Sequence, residues 1–330
     1  MNEPQRSKRG PCEGPAKHGR AAKIERRPWV TWGMIAACLI VFVGLAREPK
    51  PHTWDALSQW GAPPADRVWE GAYWGLLSSA LVHEELWHLA FNVYWLWALG
   101  MRVERALGSV RYLLLIVSAA VVSSGCQLGA SETMGIGASG VGYALFGFMW
   151  VARPRFPAFR DVLSPQTIQL FLFWLVGCMV ATYADIVHVG NAAHLSGMLF
   201  GATAGGLLAV KSRRRLLSAC LVGLVAASLT PLFWCPWSAT WLGLQAYRAH
   251  EAGNHAQAID YYTGVVHRDG QAAWAYYNRG IAYLADGNRE AAALDFTTAS
   301  KLDPTLENPL PTGAARNGRQ MHSAGQVRER

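Results

Sequence analysis

Long apolar segments separated by short polar connections dominate the first 235 residues of the chain. Seven of them are candidate membrane-spanning helices, at residues 29–46, 86–102, 111–130, 139–152, 167–185, 192–210 and 216–234. Most approach the roughly 20 residues that an α-helix needs to cross a hydrocarbon core of about 30 Å. The pattern therefore predicts an all-α, polytopic membrane protein.

The fourth segment, residues 139–152, is too short to match a bilayer on its own. A short helix is tolerated where other helices surround it, because lipid then does not have to match its length. We therefore expect this helix to lie at the centre of the bundle.

Composition supports a membrane protein and argues against several other classes. Of the 330 residues, 52% are hydrophobic and only 16% are charged, too few charges to cover a soluble globule of this size. Six cysteines are scattered without metal-ligand spacing, which predicts buried small side chains and no metal site. No glycine-rich phosphate loop follows a strand, so nucleotide binding has no support and no cofactor is expected.

The net charge of +8 comes from basic residues placed in every second connection. They lie in the N-terminal tail, at Arg102 to Arg111, at Arg153 to Arg160 and in KSRRR at 211–215. Under the positive-inside rule these segments are cytoplasmic, so we read them as topology signals and expect no nucleic-acid partner. The N-terminus is then cytoplasmic, and everything after about residue 235 faces outward.

The N-terminal tail, residues 1–28, is basic and polar and is predicted to be disordered. No small-residue cleavage site follows the first apolar run, so that run is expected to remain as an anchor. The absence of a transit-like N-terminus favours a bacterial cytoplasmic membrane.

A repeat lies beyond the last apolar segment. GNHAQAIDYYTGVV from Gly253 and GNREAAALDFTTAS from Gly287 align at a spacing of 34 residues. The period and the small and aromatic positions resemble tetratricopeptide repeats, helical hairpins that stack their apolar faces. We predict two repeats over 239–306 and a disordered tail over 307–330. Two units need support from the membrane domain, an extra helix or a second copy of the chain.

Three sets of polar residues interrupt otherwise apolar helices, where polar groups are costly unless they are paired or used. His88 and Asn92 are four residues apart and share one helical face, as do Ser139 and Tyr143. The third set is His194 with a stripe of glycines at 197, 201 and 205. By the predicted topology, all three lie near the outer ends of the second, fourth and sixth helices.

Small residues allow two of these helices to approach closely. Gly140, Ala144 and Gly147 give the fourth helix a small face that can meet the glycine stripe of the sixth. That contact would bring Ser139 next to His194, whose imidazole can take the hydroxyl proton and activate the serine.

The neighbouring residues fit the same chemistry. Asn92, His88 and the backbone N–H groups at the start of the fourth helix can stabilise an oxyanion. Gly137 and Gly140 allow a strained turn and a close backbone approach. Tyr143 is placed to stack on the His194 ring.

Each polar residue also has a structural interpretation. Ser139 can be a helix cap, and His88, Asn92 and His194 can form hydrogen bonds between helices. His83, Glu84 and His188 are interpreted as interfacial loop residues, and Asp185 as a residue at the outer end of the fifth helix that is not an orienting acid. The shared depth and order of the set favour function.

Together, GASG around Ser139, His88 with Asn92, and His194 above the glycine stripe resemble the rhomboid intramembrane serine proteases, over roughly residues 29–210. The resemblance implies a six-helix catalytic core, and the additional seventh helix, residues 211–235, lies outside the resemblance, as do the repeats. It also implies a dyad of Ser139 and His194, and His88 and Asn92 in the oxyanion hole. One departure is YWGLL, where Gly75 occupies the position of a structural arginine, so we expect a looser loop.

The resemblance implies an intramembrane serine endopeptidase that acts on transmembrane proteins in the bilayer, without metal or organic cofactor. The repeats, on the same side as the site, would offer a surface for substrates or a protein partner. Two alternatives stay open: a catalytically silent rhomboid-like protein that binds or escorts membrane proteins, and a small-solute transporter. The intact Ser139 and His194 argue against the first, and the absence of inverted repeats argues against the second.

Overall fold

The computed structural model describes residues 27–186 and 189–310, and within them it contains helices and no strand. Up to residue 107 the helices are α1 (Trp29–Leu45), α2 (Trp54–Gln59), α3 (Ala65–Trp69), α4 (Gly75–Ser78), α5 (Leu86–Trp95) and α6 (Met101–Leu107). The remaining helices are α7 (Ser109–Ser131), α8 (Ser139–Ala152), α9 (Pro165–Tyr183), α10 (Asn191–Ala209), α11 (Arg214–Phe233), α12 (Ala239–Glu251), α13 (His255–Arg268), α14 (Ala273–Ala285) and α15 (Arg289–Leu302).

Each predicted span coincides with a helical segment. The second span, 86–102, is not a single α-helix, because a π-helical turn at Leu96–Gly100 joins α5 to α6. Among the described residues, four segments are long and apolar enough to cross a membrane: Ser109–Ser131, Pro165–Tyr183, Asn191–Ala209 and Lys211–Phe233. Helices α1 and α8 are apolar but shorter. The fold supports a multi-pass membrane protein, and the count of seven spans stays a prediction.

Helix α8 lies at the centre of the bundle, as its shortness predicted. Every residue from Gly140 to Met149 is buried, including the bulky side chains Phe146 and Phe148. Helices α7 and α10 and the π-helical turn pack around it. Protein therefore surrounds the helix that begins at Ser139.

Backbone-to-backbone contact joins α8 and α10. A Cβ atom on Gly205 would lie 2.5 Å from the carbonyl oxygen of Phe148, and the glycine stripe meets α8 in register. The pairs are Gly197 with Gly140, Gly201 with Ala144, and Gly205 with Phe148. Since both residue numbers rise together, the two helices run parallel, as the alternation of basic connections requires.

A buried carboxylate ties the start of α1 to α6. Glu104 is fully buried and accepts hydrogen bonds from the backbone N–H groups of Val30 and Thr31, at 3.0 and 2.8 Å, and from the Thr31 hydroxyl. These contacts satisfy donors that the first turn of a helix leaves free. They place the start of α1 beside the basic end of the second span, where the charge pattern predicted it.

Residues 239–302 form two helical hairpins, α12 with α13 and α14 with α15. Positions 34 residues apart are equivalent: Ala258 and Ala292 are fully buried, and Tyr262 and Phe296 fill the hairpin cores. Helix α12 packs on α3 of the membrane domain. The sequence left open three supports for the two repeats, and the structure shows contact with one of them, the membrane domain. The tetratricopeptide identity stays a resemblance, and residues 1–26 and 311–330 of the predicted tails lie outside the described residues.

Candidate active site

Ser139 and His194 are hydrogen-bonded to each other across the contact between α8 and α10. The Ser139 Oγ lies 2.7 Å from His194 Nε2. His194 is 3% exposed, whereas Ser139 is half-buried at the first residue of α8. The two residues are 55 positions apart in sequence, and the glycine contacts between α8 and α10 bring them together.

Ser139 does not act as a helix cap. The residue that precedes α8 is Ala138, and no side chain caps this helix end. The Ser139 hydroxyl bonds to an imidazole instead of to the backbone N–H groups that a capping serine would satisfy. This geometry removes the most ordinary structural explanation for a serine at a helix start.

Tyr143 lies one helical turn after Ser139 and stacks on the His194 ring. The ring centroids are 4.7 Å apart, with an angle of 29° between the planes. The Tyr143 hydroxyl donates a hydrogen bond to the carbonyl oxygen of Phe171 in α9, at 3.1 Å. Tyr143 is thus fixed at both ends, which holds the plane of the His194 ring.

Gly137 brings His88 and Asn92 to the serine. Its φ of 103° lies in the region that favours glycine, and a Cβ atom there would lie 2.5 Å from His88 Cε1 and 3.3 Å from Asn92 Nδ2. Both α5 side chains therefore face the backbone two residues before Ser139. Gly140 is helical and serves a different purpose, because its missing Cβ admits Ser123 of α7.

His83 belongs to this cluster, and the interpretation of it as an interfacial loop residue is wrong. It is fully buried, its Nε2 lies 3.0 Å from Asn92 Nδ2, and its Nδ1 lies 3.1 Å from the Leu81 carbonyl oxygen. Burial, with a smaller effect of His88, lowers the pKa of His83 to about 4. A neutral Nε2 can accept from the Asn92 amide, and so fix its orientation. The apolar run SALV just before His83 is the sequence signal that was available.

Glu84, in contrast, is partly exposed, and its carboxylate lies 3.1 Å from His52 Nδ1. The other ring nitrogen of His194, Nδ1, has no hydrogen-bond partner among the described residues. Asp185 is exposed at the end of α9, and His188 lies outside the described residues. Nor do the described residues contain a group of three or more His, Cys, Asp or Glu arranged to hold a metal ion.

The stretch of chain that contains Ser139, His194 and the side chains beside them matches a known domain. Residues 70–211 match the family model of the Rhomboid domain. This match supports the rhomboid family, whose members are generally intramembrane serine proteases. The matched region covers α4 to α10 and thus Ser139, His194 and the side chains around them. Helix α1, helix α11 and the two hairpins lie outside the matched region.

The matched region differs from expectation at Gly75, the first residue of α4, where the packing is tight. Gly75 is buried, and a Cβ atom on it would lie 2.5 Å from Pro63 Cγ and 2.7 Å from Met134 Cε. Neighbouring side chains occupy the space that an arginine would need. The expectation of a looser loop is therefore wrong for the packing at this position.

Proposed function

We propose that this chain is an intramembrane serine endopeptidase that cleaves transmembrane proteins by a Ser139–His194 dyad. The observation that supports the proposal most strongly is the 2.7 Å distance between Ser139 Oγ and His194 Nε2, in a bundle that matches the Rhomboid domain. A serine hydroxyl is a weak nucleophile until a base within hydrogen-bond reach takes its proton. His194 is the base in position.

In the first step, Ser139 Oγ attacks the scissile carbonyl carbon while its proton passes to His194 Nε2. The C–O bond forms as the carbonyl π electrons move to oxygen, which gives a tetrahedral oxyanion. The imidazolium then donates its proton to the leaving amine nitrogen as the C–N bond breaks. The products of this step are an amine fragment and an ester on Ser139.

The oxyanion needs donors that are in place before the charge develops. The candidate donors are the Asn92 amide and the His88 ring, which both lie beside Gly137, and the backbone N–H of Ser139, the first residue of α8. The positive end of the helix dipole adds to the stabilisation. Typically, loss of one such donor lowers kcat by about 10²- to 10³-fold.

Water completes the reaction by the reverse proton path. His194 takes a proton from water, the hydroxide attacks the ester carbonyl carbon, and the proton returns to Ser139 Oγ as the ester bond breaks. A carboxylic acid fragment leaves, and the hydroxyl and the neutral imidazole are restored. No metal ion or organic cofactor enters this sequence of steps.

The substrate is a transmembrane segment, because the dyad lies between apolar helices. An intact helix shields its carbonyls, so the substrate must unwind near the cleaved bond, and small or helix-breaking residues are expected there. The proposed location is a cytoplasmic membrane with the N-terminus inside and the hairpins outside. On that side the repeats are positioned to recruit substrates or a partner by their exposed segments.

Cleavage of a reporter membrane substrate by the full chain tests the proposal. We expect Ser139→Ala and His194→Ala to abolish cleavage, whereas the exposed controls Ser212→Ala and His267→Ala cut like the unsubstituted chain. Co-purification of uncut substrate with an unsubstituted chain that never cleaves would favour the silent binder. Equal cutting by the Ser139→Ala and His194→Ala variants would overturn the proposed dyad.

A further inference from the structure

The segment that leads to Ser139 is attached to the first C-terminal hairpin through Glu132. Glu132 follows the last residue of α7, and its carboxylate accepts from the backbone N–H groups of Ala239 and Thr240, at 2.8 and 3.3 Å. The Thr240 hydroxyl also donates to it. A carboxylate at the start of a helix satisfies free donors and is favoured by the helix dipole. Glu132 therefore caps α12 from another domain.

The backbone of Glu132 shows that this position is constrained. Its φ is 58°, one of two positive values among the described residues other than glycine. A non-glycine residue in the left-handed region costs of order 1 kcal/mol or more, and persists where the surroundings determine it. Glu132 is the left-handed residue that ends α7, with its N–H bonded to the Leu128 carbonyl oxygen, and the cap on α12 holds its side chain as well.

Apolar packing fastens the same segment two residues later. Met134 is 5% exposed and belongs to a buried cluster that contains Trp69 of α3, Leu76 of α4, Leu232 of α11 and Trp241 of α12. Gly75 leaves the room that the Met134 side chain occupies. The first C-terminal hairpin thus supplies part of the apolar surface against which this segment packs.

Further hydrogen bonds join the C-terminal part of the chain to α7 and α3, which pack beside this segment. Trp237 Nε1 donates to the Gly129 carbonyl oxygen in α7 at 2.6 Å, and Arg248 Nη2 donates to the Trp69 carbonyl oxygen at 3.1 Å. Trp69 Nε1 in turn donates to the Pro231 carbonyl oxygen at 2.8 Å. The contact between the C-terminal hairpin and the membrane domain is therefore both polar and apolar, and it involves α3, α7, α11 and α12.

Residues 133–138, which we name the serine loop, are held at their far end as well. The Gly137 N–H donates to the Ser79 carbonyl oxygen at 3.0 Å, and the Ala138 N–H to His83 Nε2 at 3.4 Å. Glu132 fixes one end of this short loop, and these bonds fix the other. A displacement at Glu132 has only six residues in which to be absorbed before it reaches Ser139.

We propose that Glu132 is a positioning residue, through which the first C-terminal hairpin holds the serine loop in register with His194. The catalytic part of this inference rests on the proposed function. A misplacement of about 1 Å can lower the rate roughly 10²-fold, because attack needs a narrow geometry. The hairpin then has a role in catalysis without contacting the substrate.

Hydrogen exchange in the full chain tests the positioning directly. We expect Glu132→Ala to speed exchange of the amides of the serine loop about tenfold or more, since local opening becomes easier. Thr240→Val, which removes one donor, should have a smaller effect, and Glu290→Ala, an exposed first-turn glutamate of α15, none. Unchanged exchange in Glu132→Ala would overturn the inference. This measurement does not depend on cleavage, so it separates this inference from the proposed function.

Kinetics with the reporter substrate test the consequence. Glu132→Ala should lower kcat about tenfold or more with KM within about twofold, because orientation is lost and substrate contacts are not. Glu132→Gln keeps an acceptor oxygen and should recover most of kcat. A lower thermal midpoint with unchanged kcat would mean that Glu132 only stabilises the fold, and would overturn the positioning role.

Discussion

Gly201 of α10 faces the backbone carbonyl of Ala144 in α8 so closely that a Cβ atom on Gly201 would overlap with the carbonyl oxygen. Three such pairs hold the two helices together below Ser139 and His194. The hydrogen bond between those two side chains is therefore set by glycines about one, two and three helical turns away from it.

Substitution Gly201→Val should separate the ends of α8 and α10 and abolish cleavage. Overpacking of this kind typically costs about 1–3 kcal/mol of stability, so the thermal midpoint should fall as well. Gly223→Ala in α11 is the matched control, because a Cβ there meets nothing within 4 Å. A Gly201→Val variant that cleaves at the normal rate would contradict the assigned role of the helix contact.

The two properties of Tyr143 can be separated by two substitutions. Tyr143→Phe keeps the ring stacked on His194 and loses the bond to Phe171, so stability should fall by about 1 kcal/mol while most activity remains. Tyr143→Ala loses the stacking too, and cleavage should fall much further. Cleavage rates and thermal midpoints of both variants are the measurements. Equal losses of activity would show that ring stacking does not orient His194.

The sequence predicted the site best where the contacts that build it repeat at regular intervals along helices. The glycine stripe and the four-residue spacings were enough to place Ser139 near His194 and Tyr143 on the His194 ring. The same patterns could not reveal His83, because its burial depends on a turn that folds back onto Asn92 and Ala138. Nor could they reveal the contact of Glu132 with Thr240, which lies 108 residues further along the chain.

The π-helical turn at Leu96–Gly100 is a further feature without a periodic signal. The apolar pattern continues through it, so an uninterrupted span was expected. Gly100 packs against Thr31 of α1 and Tyr112 of α7, and a Cβ there would lie 2.5 Å from the Tyr112 hydroxyl. This tertiary packing, which hydropathy does not report, coincides with the irregular turn.

Gly75→Arg should destabilise this protein, although the family resemblance places an arginine there. The side chain would displace Pro63 and Met134, and a loss of about 1–3 kcal/mol is typical of overpacking. Gly33→Ala, at an exposed glycine of α1 where a Cβ meets nothing within 4 Å, is the control for a glycine substitution in the membrane domain. Thermal unfolding in detergent measures the effect. A raised midpoint in Gly75→Arg would show that the loop has room for the side chain.

His83 should make stability depend on pH below neutrality. Its pKa is about 4 in the folded protein and 6.5 without the protein environment, so the unfolded chain takes up a proton first as the pH falls. The contribution of neutral His83 to the free energy of unfolding is complete above about pH 6.5. It is lost as the pH falls towards 4, by at most about 1.4 kcal/mol per pH unit. Thermal midpoints from pH 7 to 4 should fall less steeply in His83→Gln than in the unsubstituted chain or in His267→Gln. Identical slopes in all three would contradict this assignment.

The most direct test of the central claim is covalent labelling of the full chain with a fluorophosphonate, which reacts with activated serine hydroxyls, followed by mass-spectrometric mapping of the adduct. We predict a label on Ser139 that is retained in Ser212→Ala, slowed at least about 10²-fold in His194→Ala by loss of the base, and absent in Ser139→Ala. A label on another serine, or an equal rate of labelling at Ser139 without His194, would contradict a nucleophile activated by that histidine.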